Sequence, residues 1–518
     1  MPLPHRIPSK SRSIAVVAML ALTPLVTHAS GNLPWIGTWG VAPVPMGPVN
    51  YGGKTLREIV HTSVGGNHAR LRFSNAYGDA PLVISDVHLA LNPTGSTVDG
   101  ATDRVATFGG QRSVTIPVGQ SVATDAVDIS IPQSGDVAVS FYVPEATNAV
   151  TGHSYSNQSK WVATGDVSGQ PQIQATEEGD YQFLLNMDVQ GDDLQGTLVA
   201  LGASATDGYA STYGANHRYP NFLASRLNAA DMKVGIVNEG ISGNGLINNG
   251  PNILERFSRD VFDQPGVRWV IFSDAPMNDI LPVAANATAD DMIAAYRTLI
   301  AEAHARDIKF YCTTMPTFHA AENWTEEGQR RADALNAFIL SPDSGCDGVV
   351  DLHKVLEDPN RPTYTLPAYV AADNLHPSDA GYQAFANAVD LAFFPPVNLA
   401  PVNPPAGCGT IEPGQGLKPG QSLLSCDGTH AVTLKTDGDL VLTSGTETLV
   451  ATGTSGSDAA QAWLTPDGNF ELRGALGELL WSSGSGGQSG AHLYLQGDGN
   501  LVIYSPQGAV WSTGTAGR

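Results

Sequence analysis

Charge is scarce in this chain, and positive charge is scarcest. Of 518 residues only 15% are Asp, Glu, Lys or Arg, and 50 acidic side chains face 27 basic ones, for a formal net charge of −23. That balance repels phosphate backbones and anionic lipid surfaces, so no nucleic-acid partner is expected. Cysteine is scarce too. Four cysteines are too few to staple a scaffold of this length, and burial of apolar surface must do most of the stabilising. Cys312 and Cys346 lie mid-chain and Cys408 and Cys426 near the end; an oxidising compartment permits two bridges, 312 to 346 and 408 to 426, but four cysteines allow three connectivities. Their spacings are unlike a zinc site, and neither metal nor organic cofactor is expected.

Long apolar runs are equally rare. Residues 14–26 form one, preceded by Arg6, Lys10 and Arg12 and followed by Thr27-His28-Ala29, so residues 1–29 read as a signal peptide removed on export. The run is short for a membrane span, although an uncleaved anchor is the alternative. A secreted or periplasmic protein with no transmembrane segment after processing is the expectation.

The length suits about three domains. Residues 30–192 are short alternating runs between Gly, Pro and Asn turns. In ARLRFS, Leu71 and Phe73 face one way while Arg70, Arg72 and Ser74 face the other, as a half-buried antiparallel strand requires. An all-β sandwich of jelly-roll type is expected there. Across residues 193–395 strands alternate with helices: residues 290–307 carry Met292, Ile293, Tyr296, Leu299, Ile300 and Ala303 at helical spacing, KFYCTT reads as a strand, a second helix falls near residues 325–340, and GVVDL reads as a strand. That alternation implies a mainly parallel sheet covered on both faces. Residues 396–415 are proline-rich and read as a semi-rigid spacer.

Within the central part four blocks carry chemistry. TLVALGASATDG ends a buried strand in a turn of small residues bearing Ser204, at the sheet edge where α/β proteins bind ligands. ADNLHPSDAGYQ brings Asp373 and His376 onto one loop before a helix capped by Ser378. A serine hydroxyl becomes a useful nucleophile only when a base takes its proton, and an imidazole base needs a carboxylate to fix its tautomer. ISGNG and PMNDI follow two further apolar runs, so the amides of Ser204 and Gly243 and the side chain of Asn278 can surround a developing oxyanion.

Together these blocks resemble the SGNH, or GDSL-like, hydrolases. The resemblance implies a flavodoxin-like domain and a serine ester hydrolase working through an acyl-enzyme, with Ser204, Gly243, Asn278, Asp373 and His376 as its catalytic set. Two positions depart from the family: Ala203 stands where Asp usually precedes the serine, and Pro276 replaces the Gly of the G-x-N-D block. A loosened nucleophile turn is the concern, and a catalytically dead scaffold the extreme. Asp207 is a second carboxylate nearby, for which a turn role is expected. The segments IGTWG and TLREIVHTSVGG resemble the β-domain preceding the catalytic domain in many secreted bacterial SGNH enzymes; structural roles are expected for Trp39, His61 and His153, with a glycan-lining surface as the alternative.

Residues 416–518 hold an internal repeat. KTDGDLVLT, TPDGNFELR and QGDGNLVIY have central aspartates at 437, 467 and 498, 30 and then 31 residues apart, so three sheet units burying a shared core are expected. The third copy matches Q-x-D-x-N-x-V-x-Y at Gln496, Asp498, Asn500, Val502 and Tyr504, and resembles bulb-type mannose-binding lectins. This implies a β-prism with one intact sugar site, because the first two copies depart from the motif. Trp481 and Trp511 are expected in the core. A short-acyl or carbohydrate esterase targeted to glycans follows, with an acylated glycan or small ester as substrate; the alternatives are a GDSL-type lipase or lysophospholipase, and a non-enzymatic carbohydrate-binding protein.

Overall fold

The computed structural model describes residues 33–281, 287–397, 399 and 402–518. The segment read as a signal peptide lies outside them. Among the described residues, no helix is long and apolar enough to cross a membrane.

The strand-rich N-terminal region is built from two main sheets, one of five and one of seven strands. The ARLRFS alternation behaves as its period dictates, with Leu71 and Phe73 fully buried in the core shared by these sheets. Strand Lys54–His61 does not alternate: six of its eight residues are buried, including Arg57 and Glu58. A second layer of chain covers its outer face. There the Arg57 guanidinium donates to Ser140 Oγ and to the carbonyls of Ser96 and Gln170, at 2.8, 2.5 and 2.6 Å, which satisfies a buried charge.

The central region is a five-stranded parallel sheet. Its strands are β1 (Gly196–Gly202), β2 (Val234–Gly240), β3 (Val267–Phe272), β4 (Lys309–Thr313) and β5 (Gly348–Val350), in the spatial order β2-β1-β3-β4-β5. Order reverses at β1, and such a switch point opens a crevice at the carboxyl ends of the strands. Alternate residues feed two cores: Val199, Leu201, Val270 and Phe272 pack with helices Ala289–His304 and Glu326–Ile339, while Leu198, Ala200, Trp269 and Ile271 pack with helices Tyr219–Ala229 and Asp379–Ala388. Both expected helices are present, and the first is opened by a Thr288–Asp291 capping box. Cys312 bonds Cys346, and Cys408 bonds Cys426, which decides the connectivity.

Three four-stranded antiparallel sheets make up the C-terminal region, each carrying one copy of the repeat and all sharing one core. Thr410–Ile411, inside the stretch read as a spacer, is a strand of the third sheet. Trp481 and Trp511 are half-buried against this core, edge to face at 5.9 Å.

The N-terminal and central regions are joined through buried polar contacts. Ser63 Oγ accepts from Ile236 N–H at 2.7 Å, Thr197 Oγ1 accepts from Gly37 N–H at 2.9 Å, and His153 lies between the Ala42 carbonyl at 2.8 Å and Asp207 Oδ1 at 3.0 Å. Burial opposes charging of His153, but the Asp207 carboxylate and these bonds win, leaving its pKa above the ordinary 6.5. A raised histidine pKa contributes stability that is fully present below the unfolded value and is lost as pH rises through the folded one. The thermal midpoint of His153→Gln is therefore expected to fall further below wild type at pH 5.5 than at pH 8.5, and an equal deficit at both would contradict the assignment.

Candidate active site

Strand β1 runs out at Gly202, and Ser204 opens the single helical turn Ser204–Asp207 that follows. Space is tight: a Cβ on Gly202 would collide with Thr206 Oγ1 and Asp274 Oδ1. The turn is held by Asp274, just beyond the end of β3. Its carboxylate accepts from the N–H groups of Ala203, Ala205 and Thr206 at 3.0, 2.6 and 3.2 Å, from Thr206 Oγ1 at 2.8 Å and from Ser273 Oγ at 3.0 Å. Ala203, whose side chain is buried and apolar, offers the turn no carboxylate, and the one that holds it comes from just past the neighbouring strand. Pro276 is accommodated at the first position of the short helix Pro276–Ile280, where its fixed φ fits and no amide hydrogen is required.

Gly243 has φ +84 with open space around it, so glycine is needed for the left-handed backbone and not for room. Its loop is pinned from both sides. Asp207 Oδ2 accepts from Ser242 N–H at 3.1 Å and Ser242 Oγ at 2.6 Å, while Asn278 Nδ2 donates to the Asn244 carbonyl at 2.8 Å. Asp279, next to Asn278, accepts from the N–H groups of Leu246 and Asn248 at 2.5 and 2.9 Å. Among the described residues no acceptor takes the Ser204 or Gly243 N–H, so both remain able to donate to a ligand.

The loop carrying Asp373 and His376 arrives from the far end of the central region. Asp373 Oδ1 accepts from the N–H groups of Leu375 and His376, both at 3.0 Å, and its Oδ2 lies 2.6 Å from His376 Nδ1. Across the ring, His376 Nε2 lies 2.8 Å from Ser204 Oγ. Burial pushes the Asp373 carboxyl up, but the His376 ring and the two amides outweigh it and hold the group below its ordinary range. It therefore stays ionised where an imidazole base is neutral. Ser378 caps the next helix through Gly381 N–H, and the Tyr209 ring packs 4.4 Å from the His376 ring. A hydroxyl, an imidazole and a carboxylate in this line can pass a proton from oxygen to ring nitrogen while the carboxylate steadies the resulting charge.

Ser204, Asp373 and His376 are thus brought together, and Gly243 and Asn278 belong to one pinned loop cluster. Sequence reasoning missed Asp274 and did not see that Asp207 would hold Ser242. An Asp two residues before Pro276 was the available signal, but nothing local says that it reaches the Ser204 turn. Trp39 and His153 are buried and His61 is half-buried against Asp136 at 2.6 Å, so none of them forms an open sugar surface.

In the third C-terminal copy, Gln496 Nε2 donates to Tyr504 Oη at 2.8 Å, Asp498 Oδ1 accepts from Asn500 N–H at 3.1 Å, and Val502 is buried. Asn500 Oδ1 accepts from Thr513 Oγ1 and Thr515 N–H at 3.1 and 3.2 Å, leaving its amide hydrogens outward-capable. The second copy fills the equivalent groove with its own ion pair, Arg473 Nε to Glu471 Oε2 at 2.8 Å, and Asn469 Nδ2 donates to Glu471 Oε1 at 2.9 Å.

The parallel sheet covered by helices on both faces makes this an α/β domain, and the Asp373–His376–Ser204 line stands at its carboxyl edge. Residues 200–384 match the GDSL-like lipase/acylhydrolase family, so this part of the chain is a hydrolase domain of GDSL-like type. Among solved structures, one from Desulfitobacterium hafniense DCB-2 assigned to the G-D-S-L family of lipolytic proteins is 18% identical over 37% of this chain and 97% of its own, with a TM-score of 0.30. The mannose-specific snowdrop (Galanthus nivalis) agglutinin is 31% identical over 21% of this chain and 96% of its own, TM-score 0.18. A Marasmius oreades lectin is 26% identical over 22% and 95%, TM-score 0.21. No curated protein matches the chain.

Asp274→Asn puts an amide donor against a backbone donor at the Ser204 turn. It is expected to lower kcat for p-nitrophenyl acetate by about tenfold or more with little change in KM, and unchanged kcat in a folded variant would remove Asp274 from this role.

Proposed function

We propose that this chain is a secreted serine esterase that removes short acyl groups from glycans, with the C-terminal region holding it on mannose-type sugars. The observation that carries the catalytic part is the continuous line from Asp373 through His376 to Ser204, at 2.6 and 2.8 Å. In this reading Ser204 Oγ attacks the ester carbonyl as its proton passes to His376 Nε2. The N–H groups of Ser204 and Gly243 and the Asn278 side chain stabilise the oxyanion. His376 returns the proton to the departing alkoxide, which leaves an acyl-serine. Water then repeats the sequence: it attacks the acyl carbonyl, gives a proton to His376, and the proton returns to Ser204 as the acid departs. Asp373 remains a carboxylate throughout and orients the ring.

The assignment of residues 30–192 to a jelly-roll-like sandwich, 193–395 to the hydrolase, 396–415 to a linker and 416–518 to a bulb-type β-prism belongs to the same proposal. It is supported by the separate sheets and by the threefold repeat. Secretion is supported by the two disulfides, which suit an oxidising compartment. Targeting is supported by the third copy of the repeat, whose Gln496, Asp498, Asn500, Val502 and Tyr504 share one strand and its preceding turn. Tethering to a glycan raises the local concentration of ester without any new catalytic contact.

Ser204→Ala is expected to abolish acetate release from p-nitrophenyl acetate and covalent labelling by a fluorophosphonate, and activity retained in that variant would end the serine mechanism. For the sugar site, Gln496→Ala combined with Asp498→Ala is expected to remove binding of methyl α-mannoside measured by calorimetry. Unaltered affinity would argue against mannose at this groove.

A further inference from the structure

A second recess lies beside the catalytic loop and takes no part in the chemistry above. It measures 340 Å³, within the usual ~300–1,000 Å³ of small-molecule sites. Ala372 and Asn374, the residues on either side of Asp373, form one wall; His319, Arg361, Tyr364 and Thr365 contribute to the others.

The walls combine aromatic rings with polar groups that have bonding capacity to spare. The His319 ring stands between two others, 4.2 Å from Trp324 and 4.8 Å from Tyr364, so its position is fixed by packing. Trp324 is itself anchored, its Nε1 donating to Gln329 Oε1 at 3.2 Å. The Arg361 guanidinium lies 4.7 Å over the Tyr364 ring, and its Nε is held by Asp358 Oδ2 at 3.0 Å. Rigid aromatic faces are thereby presented at low entropic cost. Yet among the described residues the ring nitrogens of His319, the Tyr364 hydroxyl and the Asn374 side-chain amide have no hydrogen-bond partner, and none of them is sealed from solvent. Phe318, Pro367 and Val370 add apolar surface to the same walls, and it is the free donors and acceptors beside them that set the recess apart from an acyl-chain tunnel. Ring faces for C–H groups beside free donors and acceptors for hydroxyls are what a pyranose requires.

Position argues the same way. The oxygen that departs from the ester must lie within hydrogen-bond reach of His376 Nε2, because that nitrogen returns the proton. The alcohol part of the substrate therefore starts beside His376, and the recess is walled by residues 370–372 and 374 of the loop that carries this ring.

We infer that the recess formed by His319, Arg361, Tyr364 and Asn374 is a subsite for a pyranose ring of the leaving alcohol, so that the ester is recognised through its sugar and not through its acyl chain. This inference rests on the proposed esterase reading for its chemistry, but not for its binding. Sugar recognition would then occur twice in the chain, in the recess beside the catalytic loop and again in the C-terminal region.

The test compares Tyr364→Ala and His319→Ala with wild type, in the full chain, on acetylated mannotetraose or xylotetraose, p-nitrophenyl acetate and p-nitrophenyl octanoate. Loss of kcat/KM on an acetylated oligosaccharide is expected to exceed the loss on p-nitrophenyl acetate by roughly tenfold, mainly through KM, with Tyr364→Phe recovering part of it. Equal losses on both would mean that the rings merely support the loop, and a larger loss on the octanoate would mark an acyl site; either overturns the inference. So does a wild type that cleaves the aryl acetate but neither sugar ester. Should no ester be cleaved at all, the esterase reading fails on its own. The subsite is then decided by calorimetric titration of mannotetraose and xylotetraose into a Ser204→Ala, Gln496→Ala, Asp498→Ala chain. Binding that disappears on adding Tyr364→Ala sustains it, and no binding refutes it.

Discussion

One carboxylate fixes the geometry on which the rest of this site depends. Asp274 gathers three backbone amides and two hydroxyls at the end of β1, and so sets the direction in which Ser204 leaves the strand. It can do so from another segment because β1 and β3 are hydrogen-bonded neighbours in a parallel sheet, and their carboxyl ends lie side by side. Ala203 brings no carboxylate to this turn, and the one that holds it comes from the adjacent strand end. Three amide donors at the start of a helical turn attract negative charge from whichever element can deliver it.

The site is also tied to the N-terminal region. His153 reaches across to Asp207, and the other oxygen of Asp207 holds Ser242, the neighbour of Gly243. The backbone donor at 243 is thus steadied by a chain of buried polar contacts that begins at the Ala42 carbonyl. Removing that region would strip a charge partner from a buried carboxylate as well as apolar cover from the sheet.

In the C-terminal region, three copies of one pattern share a core while their outer grooves diverge. At positions 439, 469 and 500 the side-chain oxygen accepts from a backbone N–H just past the strand that closes each sheet, so this role is structural in every copy. The groove chemistry differs above it. Glu471 and Arg473 neutralise one another in the second copy, whereas Gln496 and Tyr504 in the third form a single hydrogen bond and keep polar atoms available.

Much of this was legible in the sequence, because the signals involved are local. Period-two and helical spacing located the strands and helices of the central sheet, a fixed repeat announced the three C-terminal sheets, and four short blocks marked Ser204, Gly243, Asn278, Asp373 and His376. Local pattern failed at strand Lys54–His61, where a covering layer buries Arg57 and Glu58, and at Thr410–Ile411, two residues too few to show any period. Which cysteines pair, that Asp274 holds the Ser204 turn, that Asp207 meets His153, and that His319 and Tyr364 frame a recess beside Asp373 were decided by tertiary structure alone. Periodicity and motif spacing record what a residue needs from its immediate neighbours along the chain. Contacts between residues 42, 153, 207 and 242, or between 203 and 274, exist only after the strands have paired, and no spacing in the sequence encodes that proximity.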